Sequence, residues 1–383
     1  LSNIRRSNIK LDHYAAVNKH LLEQDRSSKG ELILGLPGET RESFVRGVEQ
    51  VIDAGVTAVT IYSLMLLHGT EFKDPEYRAR FEIEGKYRIV PLNYGEYAGE
   101  HVFDFEEVGV ANKDMSFDDY LYLRGYALIV ETLHNGRPFE EFFRYAETLG
   151  VSRTDFLRQM YDSLERAPQS LQDILADFLD ETLNELWDSE DELIAHYRNP
   201  ENYQKLLDGK VGGNLIFKYK ARSIVFNAKD WIDFLGTLAK DIAEERWTDD
   251  ADRANVMEEI DCLATFCANK VAGLLDARAD VAPITMTSRY DVATWLYSDP
   301  ESRLAEFRCE SPMHYDFEYT DNQLRVRDDQ FKRYGTDINA LSKIVTRVSS
   351  LESLFRKIQT DADSVGERDK KDRDDLTRYA LSN

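Results

Sequence analysis

The sequence predicts an α/β fold over residues 1–110, a mainly α-helical fold with a small β-hairpin over 111–360, and a charged tail over 361–383. Three observations carry this reading. The first is an alternation of helix and strand patterns in the opening segment. The second is a short apolar run, "ELILGL", bounded by Gly30 and Pro37, which suits a strand buried on both faces. The third is the succession of long amphipathic stretches after Met115.

Taken in order, "LDHYAAVNKHLLEQ" spaces Leu11, Tyr14, Ala15, Leu21 and Leu22 near helical period. "RESFVRGVEQVIDAG" puts Phe44, Val45, Val48, Val51 and Ile52 on one helical face, with Thr40 as the N-cap and Gly55 as the stop. "VTAVTIYSLMLL" reads as a second buried strand, parallel to the first through a right-handed crossover. "YRIVPLNYGEYAGEHVFDFEEVGVA" is rich in Tyr and Gly and reads as irregular structure ending in a strand. Ser116 caps the helix "FDDYLYLRGYALIVETLHN". The stretches "DFLRQMYDSLE", "LQDILADFLDETLNELW", "DWIDFLGTLAKDIAEE" and "RANVMEEIDCLATFCANKVAGLLD" are amphipathic helices. "HYDFEYTDNQLRVR" is expected to be a hairpin turning at Asp321 and Asn322, followed by a helix from Asp337 to Ile358.

Composition bounds the function. Hydrophobic residues make up 42% of the 383, enough for a packed core. The net charge of −23 repels phosphate backbones and anionic lipid, so neither nucleic acid nor membrane is expected as a partner. No apolar run reaches the roughly 18–20 residues of a membrane span. Three cysteines, Cys262, Cys267 and Cys309, are too few for a disulfide framework and suit a reducing compartment, the cytoplasm.

The loop "ELILGLPGET" admits three readings: an ordinary strand-to-helix turn, a phosphate loop, or a site where a flat adenine lies against the strand. The phosphate-loop spacings GxxxxGK[ST] and GxGxxG are absent. Gly35 would remove the side chain that blocks an adenine.

"RRSNIKLDHY", "ELILGLPGETRESF" and "IYSLMLLHGTEF", in that order, resemble the second half of a radical S-adenosylmethionine (SAM) barrel, of the type that carries an N-terminal cobalamin-binding domain. "GGNLIFKYKA" extends the resemblance more loosely. The resemblance implies a partial TIM-type barrel of late βα units. It also implies SAM as cofactor, reductive SAM chemistry coupled in some members to methyl transfer, and a SAM pocket. In that pocket Arg6 would reach the methionine carboxylate. Ile33 and Gly35 would pack the adenine within a relaxed GxIxGxxE motif whose glutamate is displaced to Glu39. Glu31 would make a polar contact, and Gly38, Tyr62 and Leu64 would complete the pocket.

A 4Fe–4S cluster needs a CxxxCxxC triplet, and these residues contain none. The resemblance begins mid-barrel, so cluster and cobalamin are expected only with an upstream region. Among other candidates, Glu106 and Glu107 are strand neighbours that point to opposite faces. His68 sits near the implied pocket rim, and no metal site is expected. The substrate is not specified by any of these residues. The other reading is a non-catalytic remnant or a protein-interaction module lacking cluster and radical chemistry, whose exposed strand edges need the missing barrel half or a covering partner.

Overall fold

The computed structural model describes residues 15–18, 20–21, 26–246, 250–348 and 351–360. Arg6, the motif "RRSNIKLDHY" and the tail 361–383 lie outside them.

The opening unit forms as its patterning requires. Strand β1 (Lys29–Leu34), helix α1 (Arg41–Asp53) and strand β2 (Ala58–Ser63) make a parallel β-α-β unit, with Ile33 opposite Tyr62 and Leu34 opposite Ser63. Thr40 caps α1 through a reciprocal box with Ser43, and Gly55 leaves the helix at a φ of 83°. Phe44, Val45, Val48 and Ile52 are buried beneath the sheet. At Gly30 a Cβ would stand 2.9 Å from a methyl of Val51, so the glycine lets the helix close on the strand.

The expected partial barrel does not extend beyond this pair among the described residues: β1 and β2 pair as strands only with each other, and no barrel closes. Side chains and a change of direction explain why β2 recruits no parallel neighbour. The carboxamide of Asn135 accepts from the Val59 amide (2.8 Å) and donates to the Val59 carbonyl (2.9 Å), occupying the far edge of β2 as another strand would. Past Ser63 the chain pairs antiparallel instead: Leu66 N–H donates to Glu107 O (2.8 Å) and Gly109 N–H to Leu64 O (2.8 Å).

That antiparallel partner belongs to a long hairpin where irregular structure was expected. Helix α2 (Pro75–Phe81) leads into β3 (Glu84–Tyr97), which returns as β4 (Glu100–Ala111). Ala98 and Gly99 turn the chain with φ of 52° and 83°, the handedness a two-residue hairpin loop demands. Pro91 and Leu92 (φ 63°) sit where the register shifts between Ile89 and Tyr94, so the proline is accommodated in an irregularity of the ladder. One face of the hairpin buries Ile89 with Leu193, Tyr197, Tyr203 and Leu206 in a small separate core. Those four come from α7 (Glu190–Arg198) and α8 (Pro200–Leu207).

Helix α3 (Phe117–Ile129), capped by Ser116 and Asp119, continues into a π turn over Val130–His134. Around it pack α4 (Glu140–Thr148), α5 (Arg153–Asp162), α6 (Gln169–Asn184), α9 (Leu215–Ala221), α10 (Ala228–Arg246) and α11 (Asp250–Val271). One continuous core joins this bundle to β1, α1 and β2. Two ion pairs are buried within it, Lys220–Glu131 at 2.7 Å and Lys270–Glu141 at 2.6 Å. Glu131 also accepts from Asn135 (2.6 Å), so the residue that seals β2 is itself held by a paired carboxylate.

The C-terminal expectations are corrected in two places. The small hairpin is a three-stranded antiparallel sheet of β5 (Ile284–Tyr290), β6 (Arg308–Glu318) and β7 (Lys357–Thr360), with α12 (Val292–Leu296) between the first two. Asp321 and Asn322 open helix α13 (Asp321–Tyr334), because Thr320 and Gln323 form a capping box that outcompetes a turn. The long helix stops early: α14 (Ile338–Arg347) ends before a 3-10 turn at Leu351–Leu354, and the chain enters β7. The buried Arg356 directs that return, donating to the carbonyls of Ala272, Asp280, Ala282 and Phe317.

Replacing Asn135 by Leu should leave the Val59 amide and carbonyl and one Glu131 oxygen unpaired in the core. We expect a loss of about 2–4 kcal/mol, read as a lower urea midpoint at unchanged m value.

Candidate cofactor site

The C-terminal ends of parallel strands are where α/β sheets place ligands, and here they meet the loop Gly35–Glu39. Gly35 and Gly38 both lie at positive φ, 98° and 89°, where glycine is favoured. At Gly35 a Cβ would also come within 3.3 Å of the Gly109 carbonyl, so β4 approaches the loop closely. The turn after β4 fixes the loop from the side. Asn112 donates to the Gly35 carbonyl (3.1 Å), and Asp114 accepts from the Gly38 amide (3.0 Å).

The strands present two faces. Helix α1 covers one, and the other carries Lys29, Glu31 and Tyr62, all exposed, with Ile33 and Thr60 partly so. Lys29 lies 3.1 Å from Glu31, and the Tyr62 hydroxyl donates to the same carboxylate oxygen at 3.4 Å. The hydrogen bond that Lys29 donates to Glu31 raises the ammonium pKa of Lys29. Parallel strands ordinarily need cover on both faces. Among the described residues the second face carries polar side chains except at Ala58 and Ile33.

Above the strand ends lies a small apolar cluster of Leu64, Leu66, Phe81 and Ile83. Ile33 and Leu36 pack on it from the strand side, and Phe72 and Tyr77 from the segment that follows β2. That segment is pinned by one buried carboxylate: Glu107 takes an ion pair from Lys73 and another from Arg78 (2.9 Å). Glu106, its neighbour, turns the other way to Arg88 (2.8 Å), as strand alternation requires.

The sequence-derived residues therefore divide. Ile33, Tyr62 and Leu64 lie at or just past the strand ends, Gly35 and Gly38 in the loop that follows β1, and Glu31 in the middle of β1, while Arg6 lies outside the described residues. Leu64 is buried, and its amide and carbonyl are taken by Leu34 and Gly109. His68 is exposed at the rim. Sequence reasoning missed Asn112, Asp114, Phe72 and Tyr77, and weighed Glu107 only as half of an adjacent carboxylate pair. Only Asp74-Pro75, a cap followed by a proline suited to the first helical position, marked the loop helix in advance.

Glu39 is the one titrating group of the loop. Burial pushes its carboxyl up to about 7, and one carboxylate oxygen is buried with no hydrogen-bond partner.

The chemistry of the cysteines fits no cluster. Cys267 is fully buried, with its thiol pushed up by burial. Cys262 sits 3.2 Å from the Ser288 hydroxyl, and Cys309 is on β6. Among the described residues no group of His, Cys, Asp and Glu is arranged to hold a metal ion. No described helix is long and apolar enough to cross a membrane.

No family model matches the chain. Two curated proteins do. A cobalamin-dependent radical SAM methyltransferase, TokK, of Streptomyces tokunonensis is 30% identical over 160 residues, 40% of this chain and 23% of that protein. A 2-(S-pantetheinyl)-carbapenam-3-carboxylate methyltransferase of Streptantibioticus cattleyicolor is 30% identical over 159 residues, with the same coverage of each chain. The match thus spans 23% of each relative's length. The likeness supports a relationship to the radical SAM superfamily.

Glu39 gives a pH signature. Its folded pKa lies above the unfolded value, so its contribution to stability is present at low pH and is lost as pH rises from about 4.5 to about 7. Glu39→Gln should therefore raise the urea midpoint at pH 8 and leave it nearly unchanged at pH 4.

Proposed function

We propose that this chain supplies the adenosyl-binding side of a cobalamin-dependent radical SAM enzyme that transfers a methyl group. The observation that carries the reading is the placement of Ile33, Gly35, Gly38 and Tyr62 at or just beyond the C-terminal ends of β1 and β2, with Glu31 on the same face in mid-strand. The two methyltransferase relatives lend it independent support.

On this reading each residue has a task set by its surroundings. Ile33 offers a partly exposed apolar surface to the adenine. Gly35 keeps the loop backbone against the ring, and Gly38 shapes the following turn. Glu31, steadied by Lys29 and the Tyr62 hydroxyl, accepts from ligand hydroxyl or amino groups. Arg6 neutralises the methionine carboxylate with a bidentate fork. SAM, once bound, supplies the methyl group or the adenosyl radical. A 4Fe–4S cluster and cobalamin would be held by residues outside this sequence.

The test uses the protein expressed from its complete reading frame, with SAM affinity measured by calorimetry. Arg6→Ala and Gly35→Val should each weaken SAM at least tenfold, an effect of about 1.4 kcal/mol or more. Unchanged affinity in both variants, with urea midpoints near wild type, would contradict the site.

A further inference from the structure

We propose that Phe72 and Tyr77 form a second wall for the adenine ring, opposite Ile33 and Leu36, on a flap latched by Glu107. The inference rests on the adenosyl reading above and adds residues that the strand motifs do not include.

The four side chains share one underlying cluster, Leu64, Leu66, Phe81 and Ile83, and all four are only partly buried. They arrive from opposite directions in the chain: two from the end of β1, two from the segment after β2. Phe72 and Tyr77 meet edge to face, with ring centroids 5.7 Å apart and planes at 87°, and Tyr77 leans on Phe81 at 4.7 Å. Exposed Met65 (42%) and Leu67 (51%) continue the apolar surface at the root of the segment. A surface of this kind, two aromatic rings and a β-branched side chain packed on one apolar cluster beside the polar Glu31–Tyr62 pair, suits a flat heteroaromatic ring with a hydroxylated substituent.

The latch makes the wall more than a mobile loop. Glu107 is buried on β4, and both its carboxylate oxygens are engaged by cations of the flap, Lys73 and Arg78. Each cation directly follows one of the aromatics in sequence: Phe72 precedes Lys73, and Tyr77 precedes Arg78. The carboxylate therefore ties down both rings, Phe72 through the 3-10 turn Glu71–Lys73 and Tyr77 through the helix Pro75–Phe81 capped by Asp74. At Gly85 a Cβ would run into this carboxylate, so β3 also leaves room for it.

The experiment uses the protein from its complete reading frame and two probes, S-adenosylhomocysteine and 5′-methylthioadenosine, titrated by calorimetry. Phe72→Leu and Tyr77→Leu retain apolar packing but remove the π faces. Each should weaken both probes by the same factor, about three- to tenfold, because the wall touches only the nucleoside. Glu107→Gln should weaken both as well, through faster release. A Phe72→Trp reporter should change its emission when either probe binds.

If the wild-type protein binds the probes but both leucine variants bind like wild type and the tryptophan is silent, the wall is refuted and the adenosyl site survives. If the two leucine variants lose S-adenosylhomocysteine but not 5′-methylthioadenosine, the rings contact the amino-acid end and the wall is again refuted. If the wild-type protein binds neither probe, the adenosyl reading itself fails and the wall with it.

Discussion

The fold turns on one side chain that imitates a strand. A parallel strand needs hydrogen-bonding neighbours on both edges, and β2 finds its second one partly in Asn135, whose carboxamide donates to and accepts from Val59. Asn135 can serve because it ends a π turn and because Glu131, one helical turn back, holds its amide from behind. Glu131 in turn is tolerable in the core because Lys220 neutralises it. A half-made chain of this sort would be costly, since each unpaired member would remain buried. The buried His134 beside it bonds the Val56 carbonyl at 3.2 Å, and burial pushes its pKa down to about 3. The imidazole is thus neutral at physiological pH. Helix α3 and strand β2 are therefore joined by polar contacts, within a core that is otherwise apolar.

Much of the opening unit was legible because its signals are local. Thr40, Gly55 and the 3.6-residue spacing of Phe44, Val48 and Ile52 define α1 without reference to the rest of the chain. Ser116 does the same for α3. The hairpin was illegible for the opposite reason. Pro91 argues against a strand, and only the long-range packing of Ile89, Tyr94 and Phe103 on α7 and α8 overrides it. At Asp321 two local signals competed, a turn pair and a capping box, and the capping box was overlooked. The extent of the barrel could not be read from β1 and β2 either, because the group that seals β2 lies 76 residues away from Val59.

The site shows the same division. Its strand residues sit in a recognisable run, whereas Phe72, Tyr77 and Glu107 come together only through the hairpin. Glu107 looked in sequence like half of a carboxylate pair. In the fold it is the buried anion that ties the segment after β2 to β4. A charged residue in an alternating strand gives no hint of which face will be buried until the neighbouring element is known.

The hairpin itself has a mechanical consequence. Its 14-residue strand β3 spans on the order of 40 Å at ordinary strand rise, and its outer part packs on a core of its own, separate from the main one. Its base, at Glu107 and Gly109, is bonded to the segment leaving β2. The hairpin with α7 and α8 is therefore built as a cantilever whose root lies at the strand ends and just past α6, where Trp187 pairs with Tyr87 and Glu185 takes Arg88. A rotation of about 5° at that root would sweep the tip through roughly 4 Å, by the same strand dimensions. Whatever presses on Tyr97 or Val102 at the far end acts with leverage on the segment that carries Phe72.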